Sequence, residues 1–89
     1  MIAVDANILV YAHRRDVLWH DRARALVIEL ASGRAAWAIP WPCVHEFLSV
    51  TTHPRLWRDP SPLAVAFDQL SAWRESGALV FLSEADSHL

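Results

Sequence analysis

The chain opens on a short apolar run, Ile2-Ala3-Val4, that stops at Asp5. An unbroken apolar run of this kind predicts a strand buried on both faces. Ala6 to Ala12 follows as a helix with Ile8, Leu9 and Ala12 on one side, and Arg14-Arg15-Asp16 forms a polar connection. From His20 to Ser32 the pattern is clearer. Ala23, Leu26, Val27, Leu30 and Ala31 recur at the spacing of an amphipathic helix, and Gly33 supplies its stop. Ala35 to Ile39 is a second strand, closed by Pro40. Pro42 sits where a first helical residue tolerates proline, so a helix runs from there to about His53, before Pro54. Arg55 to Pro60 is a loop. Ser61-Pro62 reads as an N-cap followed by a first-turn proline; Leu63, Ala66, Phe67, Leu70 and Trp73 give the buried stripe, and Gly77 ends the helix. Ala78 to Leu82 is a third buried strand.

The predicted order is β-α-α-β-α-α-β. Short apolar strands alternating with helices predict an α/β fold, a parallel sheet sandwiched between helices on both faces, with right-handed crossovers. Ser83-Glu84-Ala85-Asp86 resembles a capping box, so a further helix is expected to start there. One isolated turn is unstable, because nucleation costs more than the first bond returns. Residues 1–89 are therefore expected to form a single domain that continues beyond Leu89.

Composition sharpens this. Hydrophobic residues make up 54% of the 89 residues, above the roughly 45–50% of an ordinary domain. That excess excludes a disordered chain and implies that part of the surface packs against a partner or against further chain. The formal net charge is −2, which excludes a bulk polycation coating nucleic acid or membrane. All eight basic residues are arginine. The lone Cys43 allows no intrachain disulfide and suits a reducing compartment. Met1 to Asp5 lacks the basic start of a secretory signal, and no apolar stretch is long enough to span a bilayer. A cytoplasmic protein without membrane contact is expected.

Asp5 ends the first strand, and in open α/β sheets ligands bind beyond the carboxyl ends of strands. Asn7 stands two residues on. Both types are also favoured as helix caps, so position alone leaves capping open for Asp5. Glu46 lies on the helix after the second strand, flanked by Cys43, Phe47 and Val50. A carboxylate among apolar neighbours needs an ion-pair partner, a proton or a metal. Arg15 and Arg55 are candidate partners.

Val4-Asp5-Ala6-Asn7-Ile8-Leu9-Val10-Tyr11-Ala12 resembles the opening motif of PIN-domain ribonucleases, in particular the VapC toxins of bacterial toxin–antitoxin pairs. The stretch from Pro40 to Arg55, with Glu46 after the second strand, resembles the second acidic motif of that family. The segment through Phe81-Leu82 matches its third strand. The resemblance spans nearly the whole chain and implies a PIN-like sandwich. It also exposes a departure: the family carries a third Asp on a later helix and commonly a fourth acid. Asp86 lies too close to the third strand to take that role.

The resemblance implies a Mg²⁺- or Mn²⁺-dependent endoribonuclease. Clustered carboxylates suit such hard cations, which would activate water for in-line hydrolysis of an RNA phosphodiester. Asp5 would be a metal ligand, Glu46 would complete the acidic cluster, and Asn7 would hold Asp5 or a water in place. Arg14, Arg15, Arg55 and Arg58, all in loops, are candidates for RNA phosphate, since the guanidinium fork suits it. A homo-oligomer and a cognate antitoxin are the implied protein partners. His13, His20, His45, His53 and His88 form no ligand spacing, and Ser49 stands where a zincin motif begun at His45 would need its second histidine. Trp37, Trp41 and Trp73 are expected in the core or an interface rather than as base-stacking platforms. Two alternatives remain. One is a non-catalytic assembly or antitoxin-binding module. The other is a phosphohydrolase with Asp5 as nucleophile, against which Asn7 counts, because that chemistry wants an acid there.

Overall fold

A computed structural model describes residues 1–82. The predicted capping box at 83–86 and the helix expected from it lie outside the described residues. The elements are β1 (Ile2–Ala3), α1 (Ala6–His13), α2 (His20–Ser32), β2 (Trp37–Pro40), α3 (Trp41–Thr51), α4 (Leu63–Arg74) and β3 (Leu79–Leu82). This is the predicted order.

The three strands form one parallel sheet with β2 in the centre. Ile2 pairs with Trp37 and Ala3 with Ala38; Trp37 to Pro40 pair in turn with Leu79 to Leu82. The β1-to-β2 and β2-to-β3 crossovers step the same way across the sheet. Right-handed crossovers then place both helical pairs on one face. The side-chain alternation agrees. Val4, Trp37 and Ile39 belong to the core, and Leu79 and Phe81 pack on it. Ala3, Ala38 and Val80 point to the other face. The described residues thus supply the sheet and one helical layer of the α/β/α sandwich.

Only β2 is largely buried, from Trp37 to Ile39. The expectation of burial for all three strands fails at β1, which is exposed, and at Val80 in β3. The reason is topological: β1 and β3 are the edges of the described sheet, so each has one neighbour where β2 has two.

The core is centred on Phe47, which is fully buried. Its ring meets His13 of α1 edge-on at 5.4 Å and Trp73 of α4 at 5.3 Å. One aromatic therefore fixes three helices. α1 packs against both α2 and α3, and α3 packs against α4. Trp37 is also fully buried, and its indole N–H donates to Ser76 Oγ at 3.2 Å, so its polar atom is satisfied. Trp73 is buried as expected, whereas Trp41 is half-exposed and stacks on Phe81 at 5.1 Å.

Several predicted stripes narrow. In α2, Ala23 and Val27 are buried while Leu26 is exposed; in α4, Ala66, Leu70 and Trp73 are buried while Leu63 and Phe67 are exposed. A single helical layer has only the sheet and its sister helices to cover it, so the flanks of each stripe stay in solvent. Ser61 does not cap α4. Pro62 takes the cap position, and no side chain bonds the free amides there. Pro42 lies in the first turn of α3, as its missing N–H favours.

Candidate functional site

β1 and β2 run parallel in register, so their carboxyl ends meet the same edge of the sheet. Val4 N–H donates to Ala38 O at 2.9 Å, the last rung before the two chains leave it. Asp5 then begins α1, and α3 begins directly after Pro40. Asp5, Asn7 and Glu46 are therefore carried on the two helices that start at this edge, as the sequence pattern predicted.

The capping alternative for Asp5 is decided by its bonds. Its backbone carbonyl accepts from Ile8 N–H at 3.1 Å and from Leu9 N–H at 3.3 Å, which starts the helix. Its carboxylate makes no cap hydrogen bond. The backbone does the work of helix initiation while the side chain stays exposed at the positive end of the α1 dipole, where an anion is favoured. Asn7, in the first turn, is exposed as well.

Glu46 lies in the second turn of α3. Val44, Phe47 and Thr51 form the buried stripe of that helix, and Glu46 falls off it, exposed. The apolar environment expected around this carboxylate is absent, because the helix turns its apolar residues away from it. The expected ion pair to Arg15 or Arg55 is not formed either. Among the described residues the one ion pair is Arg14 with Asp16. Among those residues no three His, Cys, Asp or Glu side chains converge as a metal-binding group. Asp5 and Glu46 are both exposed and form no ion pair among the described residues, and each offers hard oxygen donors. Mg²⁺ is commonly held by one or two carboxylates, with water and substrate oxygens filling the remaining positions, so these donors fit it.

The four arginines named from the sequence separate. Arg14 is buried, and its guanidinium is committed internally. Nε donates to Asp16 Oδ1 at 2.9 Å, Nη2 to Asp16 Oδ2, and Nη1 to Asp59 O at 2.7 Å and Ser61 Oγ at 3.2 Å. It also lies 4.3 Å from the centre of the Trp57 ring. This corrects its expected place among solvent-facing loop cations: Arg14 ties the end of α1 to the loop before α4. Arg15, Arg55 and Arg58 are exposed.

Reading by residue type missed the network around Ser61. Its hydroxyl lies 3.1 Å from His13 Nε2, and His13 Nδ1 lies 3.1 Å from Gln69 Oε1. An N–H on Nδ1 donates to the amide oxygen, which leaves Nε2 to accept from the hydroxyl, while the hydroxyl accepts from Arg14. Trp57 N–H donates to Val50 O at 2.7 Å, and Ser61 N–H to Thr51 O at 2.9 Å, pinning the same loop to the end of α3. These partners lie up to 56 residues apart, a separation no local pattern signals. His20 Nδ1 lies 2.9 Å from Tyr11 O, so it too has a structural partner.

Asp5 and Glu46 are thus exposed carboxylates carried at and after the carboxyl edge of a parallel sheet. Sequence comparison finds similar proteins. The chain is 31% identical over 88 residues to VapC ribonuclease Mb2897 of Mycobacterium bovis, covering 99% of this chain and 60% of that protein. Ribonuclease VapC43 of Mycobacterium tuberculosis matches to the same extent. Ribonuclease VapC48 of the same species is 33% identical over 66 residues, 74% of this chain and 46% of that protein. The chain is similar in sequence to these VapC ribonucleases, and it spans about 60% of the length of the first of them. No family model matches it. Among the described residues, no helix is long and apolar enough to cross a membrane.

Proposed function

We propose that this chain carries part of the active site of a metal-dependent endoribonuclease toxin, with Asp5 and Glu46 as acidic ligands. The observation that carries the reading is the state of Asp5: its carbonyl opens α1 while its carboxylate, exposed at the ligand-binding edge of a parallel sheet, has no internal partner. The names of the relatives supply the reaction class.

Asp5 and Glu46 would hold Mg²⁺ or Mn²⁺. The ion, when bound, supplies Lewis acidity toward a phosphodiester oxygen and toward the attacking water. Asp5 stands at the positive end of α1 and offers its oxygens from a backbone fixed by two hydrogen bonds. Phe47 anchors α3 in the core and so fixes the helix that presents Glu46. Asn7, in the first turn of α1, would orient Asp5 or a water. Exposed Arg15, Arg55 and Arg58 would meet RNA phosphates; Arg14 is occupied inside.

Cytoplasmic location, an antitoxin partner and a homo-oligomer belong to the same proposal. Exposed Trp41 and Phe67, which line one groove together with Phe81, favour a protein partner, since contiguous apolar surface rarely remains in water. The alternative of a purely non-catalytic binding module rests on that same exposure. Incubating the 89-residue chain with labelled RNA decides between them. Cleavage that appears with Mg²⁺ or Mn²⁺, stops with EDTA and is lost in Asp5→Asn and Glu46→Gln supports the nuclease; cleavage unchanged in both variants contradicts it.

A further inference from the structure

A cleft of the described chain lies away from the edge that carries Asp5. It lies at the other end of α1, between the α1–α2 connection, the start of α2, the loop before α4, and α4 itself, and encloses about 600 Å³. Arg14, Arg15, Arg24 and Arg58 line it, half of the eight arginines in the chain. Arg14 and Asp16 neutralise each other. Arg15, Arg24 and Arg58 have no ion-pair partner among the described residues, and one further carboxylate, Asp59, lines the cleft. Three free guanidiniums against one carboxylate leave a local charge of +2 in a chain of net −2.

We infer that this cleft is a phosphate-binding subsite for the RNA strand, remote from the cleavage point; the inference rests on the nuclease reading above. Three features favour phosphate. First, the free arginines come from three separate elements, the α1–α2 connection, α2 and the loop before α4, and so approach from different walls. A phosphodiester can accept from several directions, whereas a single carboxylate is satisfied in its plane by one guanidinium fork. Second, the frame is rigid. Arg14 clamps Asp16, the Asp59 carbonyl and Ser61, which holds the α1–α2 connection and the loop before α4 together beside Arg15 and Arg58. Third, the spacing suits a strand. The eight residues of α1 span roughly 12 Å at 1.5 Å per residue. A short stretch of single strand spans that distance. A strand with its scissile phosphate near Asp5 can place another in the cleft.

The test is binding, kept apart from cleavage. A fluorescein-labelled, fully 2′-O-methylated RNA 12-mer is titrated with the 89-residue chain in EDTA, by fluorescence anisotropy, over a series of NaCl concentrations. Arg15→Gln/Arg58→Gln and, separately, Arg24→Gln are compared with wild type and with Arg34→Gln/Arg74→Gln, which lies off the cleft. The mutated side chains are exposed, and thermal melting verifies the fold of each variant. The inference expects the cleft double variant to bind at least tenfold more weakly. It also expects a salt slope shallower by about 0.7, the value for one phosphate contact in a single strand. Arg24→Gln should shift both in the same direction, and the control pair neither. Several results overturn the inference: no RNA binding by wild type, equal losses in cleft and control variants, unchanged affinity in the cleft variants, or a glutamate 12-mer displacing the label at lower concentration than unlabelled RNA. Asp5→Asn separates the two readings. It keeps RNA binding whether or not the nuclease reading holds, and its cleavage rate bears on that reading alone.

Discussion

Arg14 grips both carboxylate oxygens of Asp16, a residue only two positions on, and in doing so folds the α1–α2 connection back over itself. The same guanidinium reaches the Asp59 carbonyl and Ser61, so one side chain joins two connections that are far apart in sequence. Arg14→Met should therefore lower stability by about 2–4 kcal/mol, because it leaves buried acceptors without a donor. Arg14→Lys should rescue little, since an ammonium cannot reproduce the fork. Urea denaturation of the three proteins measures this, as midpoints that fall at an unchanged slope.

Asp16 gives the same contact a pH signature. The hydrogen bond from Arg14 holds the Asp16 carboxyl below its usual range; burial opposes it, and a backbone hydrogen bond and the Arg14 charge add smaller lowering effects. A carboxyl with a depressed folded value stabilises the fold above its unfolded value, near 3.9, and that contribution is lost as pH falls through the lower folded value. Asp16 is half-exposed, so the effect is modest. Melting temperatures of wild type and Asp16→Asn should differ at pH 6 and converge below about pH 4.

Phe47 is the other point where one side chain serves several elements. Phe47→Ala removes the ring that touches both His13 and Trp73. The expected cost is about 3–5 kcal/mol, a large part of the 5–15 kcal/mol that holds a typical domain. Circular dichroism should show a partly or wholly unfolded chain at 25 °C, whereas Phe47→Leu should retain a cooperative melt.

The element order and the edge that carries Asp5 and Glu46 were legible because they depend on local signals: apolar runs, helical spacing, and an acid just after a strand. Burial was less legible. Ile2 reads like a core residue, yet β1 is an edge strand and Ile2 is 57% exposed, which depends on strand order rather than on the run itself. Leu26 and Phe67 share the periodicity of their helices with buried neighbours and still face water, because one helical layer leaves the flanks uncovered. The roles of Arg14, Ser61 and His13 were not legible at all. Ser61 looks like a helix cap by type and position, and its hydroxyl instead bridges two residues of other elements.

The central claim is that the Asp5 carboxylate is spare to the fold and needed for chemistry. Asp5→Asn keeps the backbone carbonyl that starts α1 and leaves every observed hydrogen bond in place. The direct measurement is the metal-dependent rate of RNA cleavage by Asp5→Asn beside wild type, with melting temperature recorded on the same samples. The account predicts at least a hundredfold loss of cleavage with the melting temperature unchanged within about 2 °C, since an exposed side chain without partners contributes little to stability. Cleavage at the wild-type rate, or a loss of activity accompanied by unfolding, would contradict it.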